Sequence, residues 1–259
     1  MTADKKNQVK SIFSTYADAY ATSQTHAKGE DLEKLIEWVS PSSKDVALDI
    51  ATGGGNVVKK LAPFVSSIFA TDLTKDMLQN TSTYLTEFPN VHYVVADAEE
   101  LPFLDRTFDI VVCRIAAHHF PSPEKFVQEV FRVVKPGGRF LLIDNVSPED
   151  PSLAHFMNTF EEMRDPSHAK ALSVLEWKRL FQENGLEIEK EFLSKKELPF
   201  QNWVTRTVED ETKISAVSAF FSNASPAEKK YFQFHEQENG DLASFKLDQW
   251  MAMATAKHT

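Results

Sequence analysis

Apolar positions along the chain follow two rhythms. Up to about residue 44 they recur every three or four places, at Val9, Ile12, Phe13, Tyr16 and Tyr20 and again at Leu32, Leu35, Ile36 and Val39. That spacing predicts two amphipathic helices, the second stopped by Pro41, Ser42 and Ser43. From Asp45 onward the rhythm changes to short continuous apolar runs over 46–51, 67–71, 92–96, 109–114 and 139–144, each suited to a strand buried on both faces. Helical patterns over 56–62, 75–88 and 124–134 separate them. Strict alternation of strand and helix means a parallel sheet with helices on both faces, and right-handed crossovers bring the strand carboxyl ends to one edge. A ligand site is expected there, just after each strand. Beyond Asp144 the pattern loosens into a proline-punctuated stretch over 148–166, a helix over 175–184 and a strand-like run over 186–193. Helical patterns over 202–221 and 226–234, a turn at Asn239-Gly240 and a final strand over about 245–254 follow.

Composition narrows the class. The 259 residues are 42% hydrophobic and 25% charged, which suits a folded globular protein with a sizeable core. No apolar run approaches the roughly 18 to 20 residues of a spanning helix, and MTADKKNQVK lacks the apolar centre of a signal peptide, so membrane insertion is not expected and the expected location is cytoplasmic. A single cysteine, Cys113, excludes an internal disulfide. The net charge of −10 disfavours a nucleic-acid partner, because phosphate backbones are held by clustered Lys and Arg.

Candidate chemistry begins at Asp49-Ile50-Ala51-Thr52-Gly53-Gly54-Gly55-Asn56, which follows the first apolar run and opens a helix. Glycines there let the backbone turn sharply and approach a ligand with helix-end N–H groups facing it. Asp72 ends the second run about twenty residues later, where an acid can accept hydrogen bonds from ribose hydroxyls or simply cap the following helix. A nicotinamide fingerprint wants a third glycine where Val58 stands, and Asp49 beside the loop would repel a pyrophosphate but welcome a cationic group.

With these residues the chain resembles the class I S-adenosylmethionine-dependent methyltransferases, in particular the small-molecule enzymes similar to the ubiquinone and menaquinone biosynthesis methyltransferases. LDIATGGGN is similar to that family's first motif, D-x-G-x-G-x-G, with Ala51 in place of the first glycine; VVADAEELPF over 94–103 and the run from Phe108 to Asp144, with its K-P-G-G turn, are similar to later segments. The resemblance is continuous over about 46–144. It implies an α/β fold with a doubly wound, mostly parallel, seven-stranded Rossmann-like sheet, an N-terminal helical lid over 1–44, a cofactor-binding core over 45–195, and a helical insertion plus final antiparallel strand over 196–259. It also implies S-adenosylmethionine as cofactor: Asp49, Ala51, Gly53 and Gly55 at the methionine moiety, Asp72 and Leu73 at ribose and adenine, Asp97 and Ala98 at the adenine edge, and Arg114 and Ile115 under the donor. Alanine at position 51 adds only a methyl and tolerates ordinary backbone angles, so cofactor binding is expected to be kept.

His118 and His119 follow the fourth strand, and either imidazole can accept a proton from an attacking acceptor; alternatively one packs and caps the turn while the other is solvated. Adjacent histidines without a second ligand pair argue against a metal. Cys113 and the Lys135-Pro136-Gly137-Gly138 turn read as structure, and Tyr16 with Tyr20 as either a lid or a seated helix. Asp144 and Asn145 end the fifth strand and are candidates to face substrate. Arg164, Asp165 and His168 read as a surface loop sooner than as a pocket wall. The expected activity is methyl transfer to a small molecule, which needs alignment and water exclusion more than a nucleophile. A nicotinamide oxidoreductase, a non-catalytic S-adenosylmethionine-binding protein and a methyltransferase acting on RNA or protein remain as alternatives. Self-association is left open.

Overall fold

The computed structural model describes residues 2–15, 30–206, 210–238 and 240–257. Tyr16, Tyr20 and Asn239 lie outside them. Helices α1 (Thr2–Thr15) and α2 (Glu30–Val39) precede β1 (Val46–Ile50), α3 (Asn56–Leu61), β2 (Ser67–Asp72), α4 (Lys75–Tyr84), β3 (Val91–Val95) and β4 (Phe108–Arg114). A 3-10 turn (Ala117–His119), α5 (Pro123–Val133) and β5 (Val134–Val146) follow. Then come α6 (Pro151–Arg164), α7 (Val174–Glu183), β6 (Leu186–Pro199), α8 (Phe200–Val204), α9 (Glu211–Ser222), α10 (Pro226–Tyr231), the short β7 (His235–Glu236) and β8 (Leu242–Ala256).

The sheet runs β3-β2-β1-β4-β5-β8-β6, with β7 added to β8. Strands β1 to β5 pair in parallel, while β8 lies antiparallel between β5 and β6. The expected mostly parallel α/β sheet is therefore present, with an eighth, two-residue strand beyond the seven runs. The continuous apolar runs are explained by burial on both faces. Ala47, Ile110, Val112, Leu141 and Ile143 enter one core, and Leu48, Ile50, Val111, Cys113, Phe140 and Leu142 enter the other. Side chains alternate across a strand, so neighbours along each run serve opposite layers.

Four expectations change. The stretch over 148–166 contains a 14-residue helix, α6: Pro151 sits at its first turn and the Asp150 carboxylate accepts from the N–H groups of Ser152 and Leu153. The single helical pattern over 202–221 is two helices, because Asp210 caps a fresh start by accepting from Thr212 N. Lys135-Pro136-Gly137-Gly138 lies within β5, where the register against β4 shifts, instead of forming a turn before it. Strands β6 and β8 are longer than the apolar runs that announced them. They form a ribbon that passes the end of β5, since Val146 pairs with Asp248 whereas the ribbon continues to Pro199 opposite Ser244. On this ribbon α6, α8 and α9 build a third, aromatic core around Phe160, Trp203, Phe221 and Phe245.

Candidate active site

The loop after β1 lies at the carboxyl edge of the sheet. Thr52 N donates to Thr71 O at 2.7 Å, Gly53 N donates to Asp72 Oδ2 at 3.1 Å, and Thr74 N donates to Asp72 Oδ1 at 2.9 Å. Asp72 thus ties the glycine loop to the start of α4, and burial raises its pKa although the N–H groups of Thr74 and Gly53 work against the rise. Both its oxygens keep lone pairs that a ribose can use.

Ala51 has φ +55, so the expectation of ordinary backbone angles is corrected. It occupies the left-handed region, which costs an L-residue roughly 1–2 kcal/mol. Ile115, at the end of β4, has φ +53, an outlier for a β-branched residue. Both strained residues line one cavity, as strain at functional sites does.

This cavity encloses about 1060 Å³ including its open mouth, enough for a nucleoside-sized ligand. Asp49, Ala51, Gly53, Asp72, Leu73, Asp97, Ala98, Arg114 and Ile115 all line it. Gly55 does not. A Cβ there would meet Thr81 Cγ2 at 2.7 Å and Leu85 Cδ1 at 2.9 Å, so this glycine lets α4 pack against the loop. It does the helix-packing work that the missing third glycine at position 58 would do in a dinucleotide fingerprint.

Asp49 is 1% exposed, its Oδ2 has no hydrogen-bond partner, and burial pushes its pKa up to about 7, with Thr52 and Arg114 pulling the other way and Asp72 adding to the rise. A buried carboxylate oxygen left open in a cavity wall suits a cationic ligand. Asp97 behaves both as a turn cap and as a wall residue. Its Oδ1 accepts from Glu99 N at 3.0 Å, while Oδ2 accepts from Lys6 Nζ at 2.6 Å. Lys6 also reaches Glu99 Oε2 at 2.6 Å, so α1 spans the cavity, with Val9 and Phe13 lining it beside Lys6.

A second cavity of about 710 Å³, mouth included, shares Phe13, Ile115 and His119 with the first. Its wall contains Asn145, Arg164, Asp165 and His168, and the last three are 7%, 1% and 2% exposed, so they are not a surface loop. Asp144 is buried and holds His118 twice, accepting from the backbone N–H at 2.9 Å and meeting Nδ1 at 2.7 Å. Burial opposes a charge on His118, but Asp144 outweighs it and the pKa rises.

His119 is driven the other way. Burial first and the charge on His118 second push its pKa down to about 4, and Asp165 and Ser167 offset only part of this. His118 is buried, and His119 is half-buried and lies edge-on to Phe13, ring centroids 5.2 Å apart, so neither stands free in solvent. His119 Nδ1 is 3.1 Å from Ser167 Oγ, which in turn hydrogen-bonds Asp165. Ser167 donates to Asp165 Oδ1 from both its backbone N–H and its hydroxyl, so its one side-chain proton is spent on the carboxylate. Ser167 Oγ then accepts from His119 Nδ1–H, leaving Nε2 as a bare acceptor.

Sequence reasoning missed Lys6, Glu99, Ser167, Lys196, Trp203 and Arg206. Glu99, two places after Asp97, lay within the recognised segment 94–103, and the others sit outside any motif. None of the described helices is long and apolar enough to cross a membrane.

Residues 48–142 match the family described as a methyltransferase domain. The chain is 36% identical over 239 residues to the uncharacterized methyltransferase YcgJ of Bacillus subtilis, covering 91% of this chain and 94% of that protein. A crystal structure of the YcgJ protein superimposes with a TM-score of 0.84 at 32% identity, over 89% of this chain and 99% of that one. The ubiquinone/menaquinone biosynthesis C-methyltransferase UbiE of Rickettsia typhi is 30% identical over 172 residues, 61% of this chain and 69% of that protein. With a strained strand-end loop, an acid at the end of β2 and an open buried carboxylate around one cavity, the chain belongs to the class I S-adenosylmethionine-dependent methyltransferases.

Proposed function

We propose that the first cavity holds S-adenosylmethionine, that the second is the acceptor chamber, and that His119 accepts the proton an acceptor must lose. When bound, the cofactor supplies a methyl carbon already activated by a sulfonium. The protein's residues have three tasks. Asp49, Asp72 and Asp97 hold polar groups of the cofactor, α1 excludes water across the mouth, and His119 stands where the two cavities meet.

The observation that carries this reading is the chain Asp165, Ser167, His119, because it leaves Nε2 unprotonated while the ring lines both cavities. A pKa near 4 keeps His119 neutral at physiological pH, ready to accept a proton although a weak base. His118, held by Asp144 and packed against the His119 ring with centroids 4.3 Å apart, is a positioning residue. Two enclosed, joined cavities and the net charge of −10 support a small-molecule acceptor over a polynucleotide, and we infer a cytoplasmic setting from the same composition.

Long-range proton–nitrogen spectra of histidine-labelled protein test the assignment without knowing the acceptor. His119 should appear as the neutral Nδ1–H tautomer from pH 5 to 8 and titrate near 4. Titration near the ordinary histidine value, or the opposite tautomer, rejects it. Once an acceptor is found by screening for S-adenosylhomocysteine release, His119→Ala should lower kcat by about 100-fold. Full turnover in the His118→Ala, His119→Ala double variant would remove both from the chemistry.

A further inference from the structure

Lys196 lies on β6 where the β6–β8 ribbon runs past the end of β5, and it lines the second cavity. Its neighbour Lys195 points to the other face of the strand and is satisfied there by Asp248 at 3.0 Å and by the Tyr231 ring at 4.2 Å. The Lys196 side chain makes no hydrogen bond or ion pair with any described residue. Burial, then Arg114, then Arg206 hold its pKa below the ordinary lysine value, and only Asp31 opposes them. That carboxylate is already engaged by Arg114 Nε at 2.6 Å. The Arg114 side chain is itself only 5% exposed, and its Nη2 is buried with no partner.

The other charges facing this chamber are answered. Arg164 pairs with Glu161 at 2.8 Å, Asp165 accepts from Ser167 and lies 3.9 Å from Arg164, and His118 is held by Asp144. The acids in the wall therefore serve other groups, and none of them pairs with Lys196. An ammonium without a counter-ion in a half-buried wall is costly in the empty protein and is compensated when an anion enters. Beside it, Leu198, Trp203 and Met157 supply apolar wall.

Resting on the reading of this cavity as the acceptor chamber, we propose that the methyl acceptor is a small anion: an apolar body carrying a carboxylate or phosphate that docks on Lys196 with Arg206 beside it, its reacting atom turned toward His119.

Calorimetric titration of the full chain, saturated with S-adenosylhomocysteine, with benzoate, phenyl phosphate and neutral benzamide tests this. One or both anions should bind more tightly than benzamide, and the arm that binds distinguishes carboxylate from phosphate. Lys196→Gln should weaken that binding by about tenfold or more, Lys196→Arg should restore it, and S-adenosylhomocysteine affinity should stay unchanged in both. Equal binding of benzamide, or anion binding indifferent to Lys196→Gln, would overturn the proposal. Anion binding that depends on Lys196 yet leaves the His119 ring signals unmoved would instead reject the acceptor chamber and, with it, the anion's role as acceptor. Failure of S-adenosylhomocysteine to bind at all would fall on the first cavity alone.

Discussion

Asp49 shows how a single residue trades stability for binding. The native state keeps a proton on this carboxyl up to about pH 7, whereas the unfolded chain releases it near its ordinary value of 3.8. Folding therefore loses stability as pH rises through that window, because the native state binds more protons than the unfolded state there. A cationic ligand favours the carboxylate, so cofactor affinity should rise over the upper part of the same window with release of a proton. Asp49→Asn should abolish that pH dependence and weaken S-adenosylmethionine binding by at least about tenfold. It should also stabilise the ligand-free protein by about 1–3 kcal/mol, since an open buried carboxylate is removed. Calorimetry in buffers of different ionisation enthalpy, with thermal unfolding of the free protein, measures all three. A variant that binds normally would show that the open Oδ2 has no part in the site. Asp49 was legible in the sequence because it sits inside a loop motif. The left-handed Ala51 and the packing role of Gly55 were not, because a residue's φ and the approach of α4 depend on the loop's folded path.

Among the elements, α1 joins the two cavities through polar anchors that its sequence does not advertise. Lys5 donates to Glu162 at 2.8 Å and to the carbonyls of Pro166 and His168 at 3.0 and 2.9 Å, while Lys6 binds Asp97 and Glu99 on the opposite side. Val9 and Phe13 fall on the same helical face as Lys6 and enter the cavity between these anchors. In the role of lid that we propose for α1, Lys6→Ala should speed S-adenosylhomocysteine dissociation several-fold, about 1 kcal/mol for a partly exposed pair, and raise amide exchange over 2–15 while β1 to β5 stay protected. Unchanged dissociation would mean that the apolar contacts alone close the mouth. The periodicity at Val9, Ile12 and Phe13 announced the helix, but paired lysines on a surface helix read as solvation. In β6 the charges at Lys195, Lys196 and Glu197 had a similar effect and hid the strand's second half. They are the devices expected on an edge strand, which β6 is. For α6 the signal was present in Asp150-Pro151, a cap and first-turn proline, and was outweighed by the surrounding prolines.

At the scale of the molecule, two apolar layers sandwich the sheet and a separate aromatic core supports the second cavity. Phe160 is fully buried at its centre, with ring centroids 4.8 Å from Phe221 and 5.6 Å from both Trp203 and Phe245. Phe160→Ala should cost about 3–5 kcal/mol. The loss should appear as faster amide exchange in α6 and α9, with S-adenosylhomocysteine binding retained, because the loop after β1 rests on the other two layers. Equal loss of protection throughout the sheet would make the three cores one cooperative unit.

The sequence by itself determined the alternation of strands and helices from β1 to β5, the glycine loop, and the acids at positions 49, 72 and 97, because each is written in the local spacing of apolar residues and turn-formers. Tertiary structure alone decided the second cavity. By inserting β8 between β5 and β6, the fold extends a ribbon beyond the sheet edge and brings Lys196, Arg206 and Trp203 into one wall with His119 and Asp165, with Ser167 linking the last two from behind. A side chain's local pattern encodes which face it buries, whereas the company it keeps in a cavity depends on how distant segments cross.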